Sequence, residues 1–166
     1  MYLLELAKTG DIPKCCEIIK TAKDFQKEQG FVQWTDDYPN ESTIIEDIQT
    51  SRGYVITKNN DIAAYMCVDF SGEPAYENID GKWNTELPYV VIHRMAFSEK
   101  YRNKGLSSKA FNLIENLCIS KNIKSIRVDT DFKNKRMQHI LEKCGFSKCG
   151  IIEFQGDSRL AYDKKI

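Results

Sequence analysis

One stretch of the chain decides its fold: Tyr89-Val-Val-Ile-His-Arg-Met-Ala-Phe-Ser-Glu-Lys-Tyr-Arg-Asn-Lys-Gly-Leu-Ser-Ser-Lys-Ala-Phe-Asn-Leu-Ile-Glu-Asn-Leu-Cys118. It opens with an apolar, β-favouring run, which suits a strand covered on both faces. It closes with apolar residues at helical spacing, which can pack on a sheet: Leu106, Ala110, Leu113, Ile114, Leu117 and Cys118. A short basic turn separates the two runs. The stretch therefore predicts a strand, a basic loop and a helix.

The basic loop has a composition that suits a phosphate group. A helix N-terminus presents free backbone N–H groups and the positive end of the helix dipole. Gly105 lets the backbone approach a ligand closely, and two cations flank it. Many helices on solvated surfaces also begin after such loops, so this pattern alone leaves both interpretations open. The residues that we assign to the candidate anion site are Arg102, Asn103, Lys104, Gly105, Leu106, Ser107 and Ser108.

Composition favours one globular domain over residues 1–166 and excludes several classes of function. A chain of 166 residues can bury its own core without metal or disulfide support. Lys and Arg number 24, as do Asp and Glu, so no charge excess indicates a nucleic-acid partner. No run approaches the roughly 18 apolar residues of a membrane span, and no secretory signal is visible. We therefore expect a cytoplasmic protein without nucleic-acid or membrane partners.

The six cysteines indicate reduced core residues more than a disulfide framework. No C-x-x-C pair is present, and most of the cysteines fall on apolar positions. His139, Cys144 and Cys149 could be considered as metal ligands, but their spacing matches no familiar zinc site. We expect no metal.

The residues before the central stretch predict a strand, two helices and an antiparallel pair of strands. The strand covers residues 2–7, and the helical stripes cover residues 12–25 and 44–48. Residues 54–57 and 62–70 flank Lys58-Asn-Asn-Asp61, a turn that tolerates positive φ. Between the helices lies an aromatic loop that contains Trp34 and Tyr38. We interpret this loop as a hydrophobic plug, and because aromatic pocket walls also pack, both residues are candidate substrate contacts.

The rest of the chain predicts a long loop, a further strand and helix, and a final hairpin. Residues 71–88 read as the loop, with four acidic residues against Lys82 alone. Such an acidic rim could attract a cationic amine or could simply be solvated. A strand over residues 124–130, a short helix and a hairpin over residues 146–162 follow. The order β, α, α, β, β, β, α, β, α, β, β predicts a mixed α/β (α+β) sheet of about six to seven strands with about four helices.

Two local motifs resemble the GCN5-related N-acetyltransferases. Arg102-Asn-Lys-Gly105-Leu-Ser107 resembles the family's Arg/Gln-x-x-Gly-x-Gly/Ala pyrophosphate loop, with Ser107 at the last small position. The stretch from Asn134 to Phe146 is similar to the family's Asn-x-x-Ala-x-x-x-Tyr-x-x-x-Gly-Phe. The order of elements also looks like the family's fold, so the resemblance covers most of the chain.

The resemblance implies a single acetyl-CoA-dependent N-acetyltransferase domain. It implies that residues 102–108 hold the pyrophosphate and that Asn134 lies near the pantetheine or phosphate arm. It also implies that backbone groups of Met95, Ala96 and Phe97 contact pantetheine and the thioester oxygen.

The second motif departs from the family's pattern at two positions. Met137 replaces a small residue, and Leu141 stands where the family often has Tyr. That Tyr is commonly assigned as the acid for the departing thiolate, so its absence puts this role in doubt. A thiol has a pKa of about 8.5, so thiolate departure without an acid is tolerable.

A general base would assist amine attack, and three residues are candidates. An alkyl amine has a pKa of about 10.4, so deprotonating it at pH 7 costs about 4–5 kcal/mol. His93 is the strongest candidate, since strand alternation puts residues 91, 93, 95 and 97 on one face unless a bulge intervenes. A hydrogen-bonded histidine within the sheet is the alternative. Asp129 and Asp131 are alternatives as the base or as amine-binding carboxylates, or both could form caps and turns.

These residues predict an N-acetyltransferase that transfers acetyl from acetyl-CoA to a primary amine by direct attack in a ternary complex. The acceptor would be a small-molecule amine or a peptide amine. The alternative is a non-catalytic acyl-CoA-binding or sensing module, favoured by Leu141 and by the lack of an unequivocal base. Exposed hairpin edges near residue 166 would permit a homodimer.

Overall fold

A computed structural model describes every residue from Met1 to Ile166. It contains four α-helices, eight β-strands and three short 3-10 turns. The helices are α1 (Ile12–Glu28), α2 (Glu41–Gln49), α3 (Leu106–Ser120) and α4 (Lys135–Lys143). The strands are β1 (Tyr2–Leu6), β2 (Gly53–Lys58), β3 (Asp61–Asp69), β4 (Asp80–Gly81), β5 (Tyr89–Phe97), β6 (Ser125–Thr130), β7 (Ser147–Phe154) and β8 (Asp157–Lys165). None of the helices is long and apolar enough to cross a membrane.

The strands form one mixed sheet in the order β1-β2-β3-β5-β6-β8-β7-β4. Strands β5 and β6 run parallel, with Tyr89 opposite Ser125 and Val91 opposite Arg127. The pairs β1–β2, β2–β3, β6–β8, β7–β8 and β4–β7 are antiparallel. This confirms the mixed α/β class and the four helices. The sheet has eight strands because β4, only two residues long, is too short to leave a periodic pattern.

The chain forms two compact units. The first unit contains Met1–Val68 and His93–Leu113, and the second contains Asp69–Ile92 and Ile114–Ile166. Strand β5 and helix α3 each contribute residues to both units.

The core of the first unit is built by the apolar faces of α1 and α2 against the sheet. It consists of Ala7, Cys15, Ile18, Ile19, Trp34, Ile44, Val55, Ile62, Tyr65 and Ala96. Helix α1 has proline in its first turn, and Gly30, with φ of 87°, follows its end. Helix α2 is capped by Asn40, whose side chain accepts a hydrogen bond from the Thr43 amide at 3.1 Å. The predicted helical stripes thus face the core.

The core of the second unit is closed by the segment predicted as a loop, residues 71–88. This segment contains a 3-10 turn, Pro74–Asn78, and the short strand β4. Tyr76 is 1% exposed and Trp83 is 7% exposed, and both pack with Val91, Ile152 and Ala161. The predicted long loop therefore contains two short regular elements, and its aromatic residues bury against the sheet.

Candidate functional site

The turn between β5 and α3 has an open, left-handed backbone. Asn103 has φ of 63° and Gly105 has φ of 72°, and α3 begins at the next residue, Leu106. Leu106 is 2% exposed and anchors the start of the helix in the core. A Cβ added to Gly105 would meet no atom within 4 Å, so the space beside the glycine is free. The turn therefore offers a helix N-terminus and room for an anionic group such as phosphate.

The two cationic residues of this turn, Arg102 and Lys104, have different environments. The guanidinium carbon of Arg102 lies 4.0 Å from the centroid of the Phe25 ring on α1, which is a cation–π contact. Arg102 is half-buried there, whereas Asn103 and Lys104 are exposed. Ser107 and Ser108 are half-buried in the first turn of α3. The turn thus has one cation packed against α1 and one, Lys104, that is exposed to solvent.

A left-handed residue interrupts β5 where the sequence predicts regular alternation. Arg94 has φ of 53°, which is rare for a residue with a Cβ atom and typical of a bulge. Val90, Val91 and Ile92 are all buried, the next three residues are half-buried, and Ala96 is buried again. The expectation that residues 91, 93, 95 and 97 share one face is therefore wrong. His93 is half-buried directly before the interruption, and its role as a base stays a prediction.

Beside this interruption lies a buried polar cluster of Tyr38, Asp47, Tyr65 and Arg94, which the sequence did not reveal. The Asp47 carboxylate on α2 accepts hydrogen bonds from Arg94 Nε at 3.0 Å and Arg94 Nη2 at 2.6 Å. It also accepts one from the Tyr65 hydroxyl at 2.5 Å. Arg94 Nη1 donates to the Tyr38 hydroxyl at 2.7 Å. One available signal was the position of Asp47 in the apolar stripe of α2, three residues after Ile44.

The ionisation states in this cluster follow from burial and charge. Burial, together with the neighbouring Asp47, raises the pKa of Tyr65, so its hydroxyl remains a donor. Burial acts to lower the pKa of Arg94, but Cys67 and the hydrogen bond to Asp47 raise it overall, so the guanidinium stays charged. The cluster is therefore an ion pair between Arg94 and Asp47 beside a neutral Tyr65 hydroxyl.

The two aromatic candidates from the loop of residues 31–39 have different environments. Trp34 is 8% exposed and belongs to the core of the first unit, as the plug interpretation predicts. Its amide donates to Gln26 Oε1 at 3.1 Å. Tyr38 is half-buried, with its ring centroid 6.0 Å from the Arg94 guanidinium carbon. Substrate contact stays a prediction for both residues, and Tyr38 is the better placed because its hydroxyl belongs to the polar cluster.

The second unit places the remaining candidates in structural hydrogen bonds. Asp129 Oδ2 accepts from the Tyr76 hydroxyl at 2.6 Å, and Asp129 Oδ1 lies 3.6 Å from Arg159 Nη1. Burial, with a contribution from Asp129, raises the pKa of Tyr76 well above its ordinary value. Asp131 accepts from the Lys133 amide at 2.8 Å in a turn, and Asn134 caps α4 by accepting from the Met137 amide at 3.1 Å. The capping and turn roles are present, and the assigned ligand roles stay predictions.

Three further residues bear on the chemistry. Leu141 is 1% exposed in α4, so the residue at the family's Tyr position is part of the core. Cys144 and Cys149 are half-buried and form no disulfide, and no group of three or more His, Cys, Asp or Glu residues is arranged to hold a metal ion.

Comparisons with known proteins agree with this architecture. The model of the acetyltransferase (GNAT) family matches residues 19–146. A GNAT-family acetyltransferase structure from Streptococcus agalactiae is 32% identical, covering 99% of this chain and 95% of that chain with a TM-score of 0.89. A GNAT-family structure from Listeria monocytogenes is 19% identical, covering 99% and 95%, with a TM-score of 0.78. An aminoglycoside acetyltransferase solved with ribostamycin and coenzyme A is 18% identical, covering 99% and 93%, with a TM-score of 0.72. A comparison of this sequence with curated proteins found no match.

Proposed function

The chain belongs to the acetyltransferase (GNAT) family, and we propose that it transfers acetyl from acetyl-CoA to a primary amine by direct attack in a ternary complex. The observation that carries this proposal is the open left-handed turn at Gly105, at the start of α3. This turn leaves space where the family's motif binds pyrophosphate. Asn103, Lys104 and the first amides of α3 would then face the phosphate oxygens.

The reaction forms one bond and breaks another at the thioester carbon. The neutral amine nitrogen attacks the carbonyl carbon, the C–S bond breaks, and CoA leaves as a thiolate while the amine gives up its proton. Backbone N–H groups among residues 95–97 would stabilise the developing oxyanion, which needs no particular side chain. The leaving thiolate has a conjugate pKa of about 8.5, so a dedicated acid contributes little near neutral pH. A buried Leu141 is therefore compatible with turnover.

His93 is the base that we propose. Asp129, the alternative, already accepts a hydrogen bond from the Tyr76 hydroxyl and lies 3.6 Å from Arg159 Nη1. His93 is half-buried in β5, two residues before Met95. Imidazole is the side chain that most often serves as a general base near neutral pH.

The acceptor that we propose is a small-molecule amine. A fold neighbour is an aminoglycoside acetyltransferase that was solved with ribostamycin, so polyamines, amino acids, aminoglycosides and peptide amines form a suitable panel. The rival function is a non-catalytic acyl-CoA-binding module, which the buried Leu141 and the paired Asp129 favour. Saturable CoA binding without amine-dependent thiol release across this panel would support the rival.

The experiment that tests the proposal uses Gly105→Glu, His93→Ala and a matched control, Gly10→Glu. A Cβ added to Gly10 also meets no atom within 4 Å, and Gly10 is exposed, so the control carries the same bulk and charge elsewhere. Gly105→Glu should abolish acetyl-CoA binding in calorimetry through bulk and charge at the anion site. His93→Ala should spare binding and lower amine-dependent thiol release. Normal binding by Gly105→Glu would show that this turn does not hold the cofactor.

A further inference from the structure

We propose that Asp47 and Arg94 are positioning residues for acyl transfer: their ion pair holds the left-handed residue of β5 in place and, through Tyr38, the aromatic loop of residues 31–39. This inference rests on the proposed function. It assigns a role to charged residues that lie outside both sequence motifs.

The backbone of Arg94 is the first observation. A residue with a Cβ atom pays a steric penalty at φ of 53°, which glycine or asparagine would largely avoid. Arginine nevertheless occupies this position, and its side chain makes three hydrogen bonds from there. Such an outlier persists only where surrounding contacts hold it, and outliers of this kind concentrate at functional sites.

The burial of the ion pair is the second observation. The Asp47 side chain is 2% exposed and the Arg94 side chain is 11% exposed. Two parallel N–H···O bonds join the guanidinium and the carboxylate in a fork, which restricts orientation as well as distance. A buried ion pair is costly to desolvate and is weak evidence for stability. Its clearest contribution here is the geometry that it imposes on β5.

The position of the cluster in the chain is the third observation. The residues that follow Arg94 are residues 95–97, whose backbone we propose to hold the thioester. On the other side, Arg94 Nη1 reaches the Tyr38 hydroxyl, and Tyr38 is a candidate acceptor contact. A change at Arg94 would therefore displace the thioester-binding backbone and release Tyr38 together. The Asp47–Arg94 ion pair would thus align the amine acceptor near Tyr38 with the acyl group held by residues 95–97.

The test compares Asp47→Asn and Tyr38→Phe with Glu46→Gln. Glu46 precedes Asp47 on α2, has a side chain that is 71% exposed and pairs with Arg52. Its conversion to an amide is the matched control for Asp47→Asn. The readouts are the Kd for acetyl-CoA, the kcat and acceptor KM with the most active amine of the panel, and hydrogen exchange of residues 31–39 and 93–98.

Asp47→Asn should lower kcat by about 10- to 100-fold, as expected for a small displacement of reacting groups, with little change in the acetyl-CoA Kd. Tyr38→Phe should raise the acceptor KM and speed exchange in residues 31–39. Both substitutions act through Arg94. The loss of kcat/KM in the double variant should therefore be smaller than the two single losses combined, when each is expressed as a free energy. Glu46→Gln should match the wild type in every readout.

A purely structural role would give a different result. Asp47→Asn would then lose stability, while its folded fraction kept the wild-type kcat and the wild-type exchange of residues 93–98, and this would overturn the inference. If Asp47→Asn does not fold, Tyr38→Phe decides, since it removes only one hydroxyl. Unchanged acceptor KM and unchanged exchange in Tyr38→Phe would also overturn the inference. A wild-type protein that does not bind acetyl-CoA would instead refute the proposed function itself.

Discussion

At the scale of single residues, Leu141 shows how the core limits the chemistry. Its side chain is 1% exposed in α4, at the position where the family often has Tyr. Leu141→Tyr adds volume and a hydroxyl to a packed interior, so it should destabilise the protein by about 1–3 kcal/mol. We expect no gain in turnover. Urea unfolding and amine-dependent thiol release are the measurements.

Leu141→Met is the control for this substitution. It nearly conserves side-chain volume and should cost less than about 1.5 kcal/mol. A faster Leu141→Tyr enzyme would show that the position has access to the departing thiolate, contrary to its burial.

At the scale of elements, the pairing of β4 with β7 depends on two facing glycines. A Cβ on Gly150 would lie 2.2 Å from the Asp80 carbonyl oxygen, and one on Gly81 would lie 2.3 Å from the Cys149 carbonyl oxygen. Both glycines also have positive φ, 154° and 137°. Gly150→Ala should therefore separate β4 from β7 and destabilise the protein by about 1–3 kcal/mol. Thermal unfolding, with hydrogen exchange of residues 80–82, measures both effects.

Gly156→Ala separates backbone strain from steric overlap. Gly156 has φ of 83° in the turn between β7 and β8, and an added Cβ there meets no atom within 4 Å. It should cost less than Gly150→Ala, because only the strain applies. Equal losses from the two variants would mean that the close approach of β4 to β7 contributes nothing to stability.

At the scale of the whole molecule, buried acidic groups should make stability depend on alkaline pH. Burial raises the pKa of Cys15 to about 12 and that of Cys118 to about 11, from 9.0. Above pH 9 the folded protein therefore keeps these two thiols protonated, whereas the unfolded chain loses their protons. The stabilisation is fully present below pH 9 and is lost as pH rises toward these values, by at most about 1.36 kcal/mol per pH unit and group. Urea unfolding between pH 8 and pH 11 should show this decline.

Cys15→Ala tests the origin of that decline. The variant loses one titrating thiol, so its unfolding free energy should fall less steeply with pH, even though its stability at pH 8 is lower. A slope identical to that of the wild type would assign the decline to other groups, such as Tyr65 and Tyr76, whose pKa values burial also raises.

Several features of the fold and of the candidate site were predictable because they are encoded locally. The helical stripes, the antiparallel pair β2–β3 and the start of α3 after Gly105 each depend on neighbouring residues. The sequence predicts residues 71–88 as a loop but does not reveal the short strand β4 or the burial of Tyr76 and Trp83, because that burial requires a surface distant in sequence. The local sequence pattern indicates which secondary structure a residue favours, but it does not show which distant part of the chain packs against its side chain.

The patterning of the chain alone is sufficient for the four helices, for seven of the eight strands in their order, and for the start of α3 after Gly105. Each depends on side-chain periodicity or on backbone preferences within a few residues. Only the folded chain reveals the left-handed residue in β5 and the ion pair that holds it. Arg94 and Asp47 are 47 residues apart, and their contact forms only once α2 packs against the sheet. Arginine and aspartate usually lie at the surface. Once Arg94 and Asp47 are buried they must stay paired, because either charge buried without its partner would be strongly destabilising.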